Sequence, residues 1–177
     1  MAEFEQSAAT RAEMTERVRD LLDAHFLPTN ALQQALGVFS KQQVAERLAG
    51  TTDRKSKAYK AARRNVERWT TTGAEKRKPG KAAQAKLVDI LKADRQALAQ
   101  EFPSGLRLRL DATIVVADDP EYSRDRTGIV VNFSPNQGVN LLLHAQEDAD
   151  EAWQDFFDVY VMPAGTIDDA RLRLDAR

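Results

Sequence analysis

The sequence contains no cysteine and only two histidines, His25 and His144. That excludes disulfides and thiolate metal centres and leaves too few imidazoles for a His-based metal site. No apolar run approaches the roughly 20 residues needed to cross a bilayer. The first ten residues carry two acids and no base, so they lack the positive start and apolar stretch of a secretory signal. Gly-rich phosphate loops, a nucleophile elbow and a Ser-His-Asp set are also missing. The expectation is a cytoplasmic, nucleoid-associated protein that is not an enzyme and needs no membrane, cofactor or metal.

What is present is an uneven distribution of charge. The 177 residues are 42% hydrophobic and 30% charged, with a formal net charge of -1. Residues 41–92 hold 15 of the 26 Lys and Arg and 5 of the 27 acids, a local balance of +10. The remainder carries 11 bases against 22 acids, or -11. Such a division fits a polyanion-binding module joined to a part that does not bind polyanions.

Periodicity gives the elements. A helix is expected over 8–26, where Met14, Val18, Leu21, Leu22 and His25 share a face. Pro28 ends it. Asn30 is placed to cap a short helix with Leu32 and Leu36, stopped by Gly37. Ser40 caps Lys41 to Ala49, with Val44 and Leu48 four apart and Gly50 at the end. After Thr51-Thr52-Asp53 a longer helix is expected from Arg54 to Trp69, with Tyr59, Ala62, Val66 and Trp69 on its apolar side. A basic loop, Thr70 to Gly80, then leads into a final helix through Leu87, Ile90, Leu91 and Leu98.

Phe102-Pro103-Ser104-Gly105 marks a boundary, beyond which the hydrophobic period falls to two. Leu106, Leu108 and Leu110 alternate with Arg107, Arg109 and Asp111, and the run continues through Ile114 to Val116. A polar loop, Asp118 to Thr127, separates it from Ile129 to Phe133, and the two runs could pair as an antiparallel hairpin. Pro135-Asn136 starts a helical stretch with Leu141, Leu142, Leu143, Trp153, Phe156 and Phe157. Val159 to Met162 and Leu172 to Leu174 read as further short strands. The fold class is therefore α+β: an all-helical helix-turn-helix domain, residues 1–101, then a small acidic α+β domain with an antiparallel sheet, residues 102–177.

The helix, turn, helix and basic loop after Ser40 form the strongest constellation. A major groove about 12 Å wide admits one α-helix, whose exposed side chains read base edges while neighbouring bases fix its register on phosphates. Lys57, Lys60, Arg64 and Arg68 are the leading candidates, and Asn65 could pair bidentately with adenine. Arg54, Lys55 and Arg63 extend the basic helix, and Lys76, Arg77, Lys78 and Lys81 are expected on the backbone. The turn is longer than the usual three or four residues. The acids Glu147, Asp148, Asp150, Glu151, Asp155 and Asp158 flank Trp153, Phe156 and Phe157; their spacing favours a solvated helix face over carboxylates converging on a metal, with the aromatics as core or a dimer contact.

The fragments "QQVAERLAG", "RRNVERW" and "KRKPGKAAQAKLVDIL" resemble the helix-turn-helix of the telomere terminal proteins of Streptomyces-type linear chromosomes and plasmids, and more loosely the phage-repressor class of regulators. The segment "NLLLHAQEDADEAWQDFFDVYV" followed by "LRLD" is similar to the tail of those terminal proteins. The resemblance implies a protein that carries a 5′ DNA end on a side-chain hydroxyl and primes end replication with a DNA polymerase and a telomere-binding protein. In the family that hydroxyl belongs to a threonine in a polar segment before the second strand. The matching stretch here, "DDPEYSRDRT", has no threonine at that position; Tyr122 and Ser123 are nearest and Thr127 follows. Asp118, Asp119 and Glu121 would help hold a metal arriving with the nucleotide. The competing expectations are a plasmid- or phage-type transcriptional regulator, whose acidic domain makes a homodimer or binds an effector, and a nuclease using the C-terminal acids.

Overall fold

The structure is a computed structural model that describes residues 8–72, 77–116, 119–156 and 166–176. Among the described residues the order is α1 (Ala8–His25), α2 (Ala31–Val38), α3 (Lys41–Ala49), α4 (Lys57–Thr70), α5 (Lys81–Lys92), α6 (Arg95–Glu101), β1 (Leu106–Val116), β2 (Asp119–Phe133), α7 (Pro135–Glu147), α8 (Ala149–Phe156) and β3 (Thr166–Ala176). This is an α+β chain with more helix than strand. No described helix is long and apolar enough to cross a membrane.

The chain divides into two compact units, Asp23–Gln100 and Met1–Leu22 with Glu101–Arg177. The boundary between Gln100 and Glu101 lies next to the one the Pro-Ser-Gly signal suggests. The N-terminal division differs from the expected single domain over 1–101. Met14, Val18 and Leu22 of α1 are buried, and Trp153 Nε1 donates to the Thr15 hydroxyl at 3.3 Å, so the apolar face of α1 belongs with the C-terminal unit.

In the helical unit, α2 packs on α5 and α3 packs on both α4 and α5. The buried set includes Phe26, Phe39, Val44, Tyr59, Val66, Leu87, Leu91 and Leu98. Helix α3 has the expected ends. The Ser40 hydroxyl accepts from Gln43 N–H while the Gln43 side chain accepts from Ser40 N–H, a capping box. At the other end Gly50 adopts φ 65°, its N–H donates to the Arg47 carbonyl, and Thr51 N–H donates to Glu46. Those bonds satisfy the last carbonyls as a Schellman terminator does. Between α3 and the last helices, Arg47 lies 2.9 Å from Asp94 and 3.9 Å above the Phe39 ring.

Three helical boundaries differ from expectation. Helix α2 runs through Gly37 to Val38 and buries Ala31 and Ala35, with Leu32 and Leu36 half-buried. Helix α4 begins at Lys57 rather than Arg54, because Ser56 caps it by accepting from Tyr59 N–H at 3.1 Å. The expected last helix is two, α5 and α6, broken at Asp94, whose carboxylate accepts from Gln96 N–H and Ala97 N–H.

In the other unit the sheet order is β2-β1-β3, antiparallel throughout. The hairpin pairs Leu106 with Phe133 and Leu108 with Val131, and β3 sets Leu174 beside Leu108. The expected loop Asp118 to Thr127 is instead strand from Asp119 onward. Pairing shifts where Leu110 faces Ile129 and Ala112 faces Arg126, so Thr127 and Gly128 stand opposite Asp111. Gly128 has φ 74°, as a left-handed glycine in a bulge should. Beyond it, backbone pairing continues under a polar sequence that side-chain alternation does not reveal.

Helix α7 starts with a second capping box, Ser134 with Gln137, and lies close to β1. A Cβ on Gly138 would come within 3.0 Å of Leu106 Cγ. Trp153 and Phe156 of α8 are buried edge to face at 5.9 Å, and Phe156 meets Phe133 at 5.8 Å. Val159 to Met162, Phe157 and Asp158 lie outside the described residues, and Leu172 to Leu174 lie within the longer β3.

Candidate nucleic-acid interface

Helix α4 is anchored along one side and bare along the other. Tyr59 and Val66 are buried, and Ala62 and Trp69 are half-buried. Lys57, Lys60, Arg64 and Arg68 are all exposed. At 3.6 residues per turn these four fall within roughly 80° of the helix circumference, opposite the buried side. None of the four makes an ion pair among the described residues. Asn65 is exposed at the margin of this stripe.

The remaining expected bases differ in their surroundings. Arg54 and Lys55 stand in the turn before α4, not on the helix. Arg54 lies 3.7 Å from Glu46 of α3. The turn is held by side chains: the Thr51 hydroxyl accepts from Asp53 N–H, and the Asp53 carboxylate accepts from Lys55 N–H at 2.9 Å. Arg63 points along α4, its Nε 2.6 Å from Glu67. The hydrogen bond to Glu67, then one to Tyr59, holds the guanidinium pKa above its ordinary value. Its charge is already matched by Glu67.

Arg77, Lys78 and Lys81 are exposed, and Arg77 N–H donates to the Arg68 carbonyl at 3.3 Å, which ties the described end of the basic loop to the last turn of α4. Lys76 lies outside the described residues. Lys86, in the same basic segment, instead donates to the Leu48 carbonyl at the end of α3, and Lys92 pairs with Asp23. The segment thus separates into bases spent on the fold and bases left facing solvent.

The hydroxyl candidates Tyr122, Ser123 and Thr127 have their backbone in β2, and their side chains lie outside the described residues. Asp119 and Glu121 also have their backbone in β2, and Asp118 is not described. In the acidic helices, Glu147, Asp148, Asp150, Glu151 and Asp155 are exposed. His144 stands between two of them, 3.4 Å from Glu151 and 3.8 Å from Asp155. No group of three His, Asp or Glu placed to hold a metal occurs among the described residues.

Sequence reasoning missed a groove of about 470 Å³ beside the end of α4, lined by Leu32, Leu36, Trp69, Arg77, Lys78 and Gln84 among others. One wall runs from the end of α4 through the basic loop to Gln84 of α5, and the other is α2 with the turn before it, more than 30 residues earlier, so no local spacing signals the groove. Comparison with family models, with curated proteins and with solved structures gives no match to this chain.

Proposed function

We propose that this protein binds double-stranded DNA in a sequence-specific manner, with α3 and α4 working as a helix-turn-helix and α4 entering the major groove. The observation that carries the reading is the stripe of four exposed bases on α4, Lys57, Lys60, Arg64 and Arg68, which make no ion pair among the described residues and lie opposite the buried Tyr59 and Val66. A helix anchored on one side by core residues presents its other side in a fixed register, as groove reading requires. Lys60 and Arg64 sit at the middle of the stripe, where a base edge would be reached. Lys57 and Arg68, at its ends, suit the flanking phosphates, with Arg77, Lys78 and Lys81 continuing the phosphate track. Asn65 supplies an amide that can accept from and donate to one adenine.

The test is a footprint on randomised duplex DNA selected with the parent protein and repeated with Lys57, Lys60, Arg64 and Arg68 all changed to alanine. The parent enriches a defined site and the quadruple variant does not. A variant that enriches the same site with the same affinity excludes α4 as the reading helix. Priming from a DNA end is a narrower proposal that rests on the terminal-protein resemblance. It is tested by looking for a nucleotide covalently attached to Tyr122, Ser123 or Thr127 after incubation with polymerase and template.

A further inference from the structure

We infer that the groove beside the end of α4 takes one unstacked nucleotide of a DNA strand, an inference that rests on the duplex-binding reading of the same helix. The groove of about 470 Å³ lies within the roughly 300–1,000 Å³ of small-ligand sites, which combine apolar walls with a few placed polar groups. Its apolar walls are the half-buried Leu32 and Leu36 of α2 and the half-buried Trp69 of α4. The half-buried Gln84 of α5 brings an amide to the same space. That amide has no hydrogen-bond partner among the described residues, so it can meet the edge of a base stacked on the indole face.

The charge of the groove selects the occupant. Arg77 and Lys78 line it, are exposed, and make no ion pair among the described residues. An apolar slot beside two uncommitted cations matches a flat heteroaromatic ring joined to a phosphate. Stacking of a base on an indole face tolerates any sequence, while the cations follow the strand's backbone. Trp69 is adjacent to Arg68, the last base of the α4 stripe, and Arg77 N–H is bonded to the Arg68 carbonyl. The Trp69 ring points about 100° away from Arg68 around the helix, so the link from stripe to groove runs through Arg77 and Lys78. A strand whose phosphates follow these two cations passes the groove, and the site suits DNA with an unpaired nucleotide next to a duplex.

The experiment measures affinity of the full chain for a blunt duplex of about 20 base pairs and for the same duplex with a three-deoxyadenosine tail, while following tryptophan fluorescence. Trp153 is fully buried, so quenching that differs between the two DNAs reports on Trp69. The tail is expected to raise affinity about tenfold and to quench Trp69. Trp69→Ala should abolish the preference for the tail while the blunt duplex binds as before. Leu36→Phe, which narrows the groove with Trp69 in place, should do the same and decides the matter if Trp69→Ala does not fold. Equal affinity of the parent for both DNAs, with no differential quenching, overturns the inference. If the blunt duplex fails to bind but a single-stranded deoxyadenosine oligonucleotide quenches Trp69, the groove stands and the duplex reading falls.

Discussion

The Arg63 guanidinium is held 2.6 Å from the Glu67 carboxylate one turn along α4, whereas its neighbour Arg64 is exposed and has no ion pair among the described residues. Two adjacent arginines on one basic helix therefore differ in what they can offer a phosphate. Arg64→Ala should lower duplex affinity and reduce the slope of log affinity against log salt by about 1. Arg63→Ala should leave the slope nearly unchanged. Glu67→Ala should release Arg63 and raise affinity. Equal losses for the two arginine variants would show that the ion pair opens at no cost when DNA binds.

Asp94 has two tasks, and two substitutions separate them. Its carboxylate pairs with Arg47 and also accepts from Gln96 N–H and Ala97 N–H at the start of α6. Asp94→Ala removes both and should destabilise the helical unit by about 2 kcal/mol. Asp94→Asn keeps an oxygen that can cap and should cost about half as much. Urea unfolding of the two variants against the parent checks the order; equal destabilisation would assign the whole effect to the ion pair.

Gly105 has φ 84°, and a Cβ there would lie 2.0 Å from the Phe133 carbonyl oxygen. Both backbone strain and collision oppose any side chain. Gly105→Ala should destabilise the sheet unit by at least about 2 kcal/mol, seen as earlier amide exchange in β1 and β2. Gly37, in contrast, has nothing within 4 Å of a built Cβ and lies inside α2. Gly37→Ala should stabilise by about 0.5–1 kcal/mol, read as a higher Tm.

The features legible in the sequence were those that local chemistry decides. Ser40 and Gly50 bracket α3 because a hydroxyl cap and a left-handed glycine each act within a few residues. The Leu106-Leu108-Leu110 alternation signals β1 for a similar reason. The start of α4 was not legible, since Thr51, Thr52, Asp53 and Ser56 are all competent caps. The fold uses Thr51 and Asp53 to tie the turn and leaves the helix to Ser56. Asp94 sits within an otherwise helical pattern, and its capping role emerges only from its contacts. The polar half of β2 gives no alternation, because backbone pairing to β1 holds it. The basic stripe of α4 could be read from spacing, whereas the matching of Arg63 by Glu67 and the groove at Trp69 depend on side-chain geometry and on packing among α2, α4 and α5.

The claim that α4 presents a DNA-binding surface is tested most directly by measuring affinity for a labelled duplex of about 30 base pairs at two salt concentrations. With six or more phosphates neutralised, affinity should fall roughly a thousandfold between about 50 and 200 mM salt, and the variant lacking Lys57, Lys60, Arg64 and Arg68 should lose most of that dependence. No binding at the lower salt, or binding insensitive to salt, would contradict the account and leave the stripe as a solvated helix face.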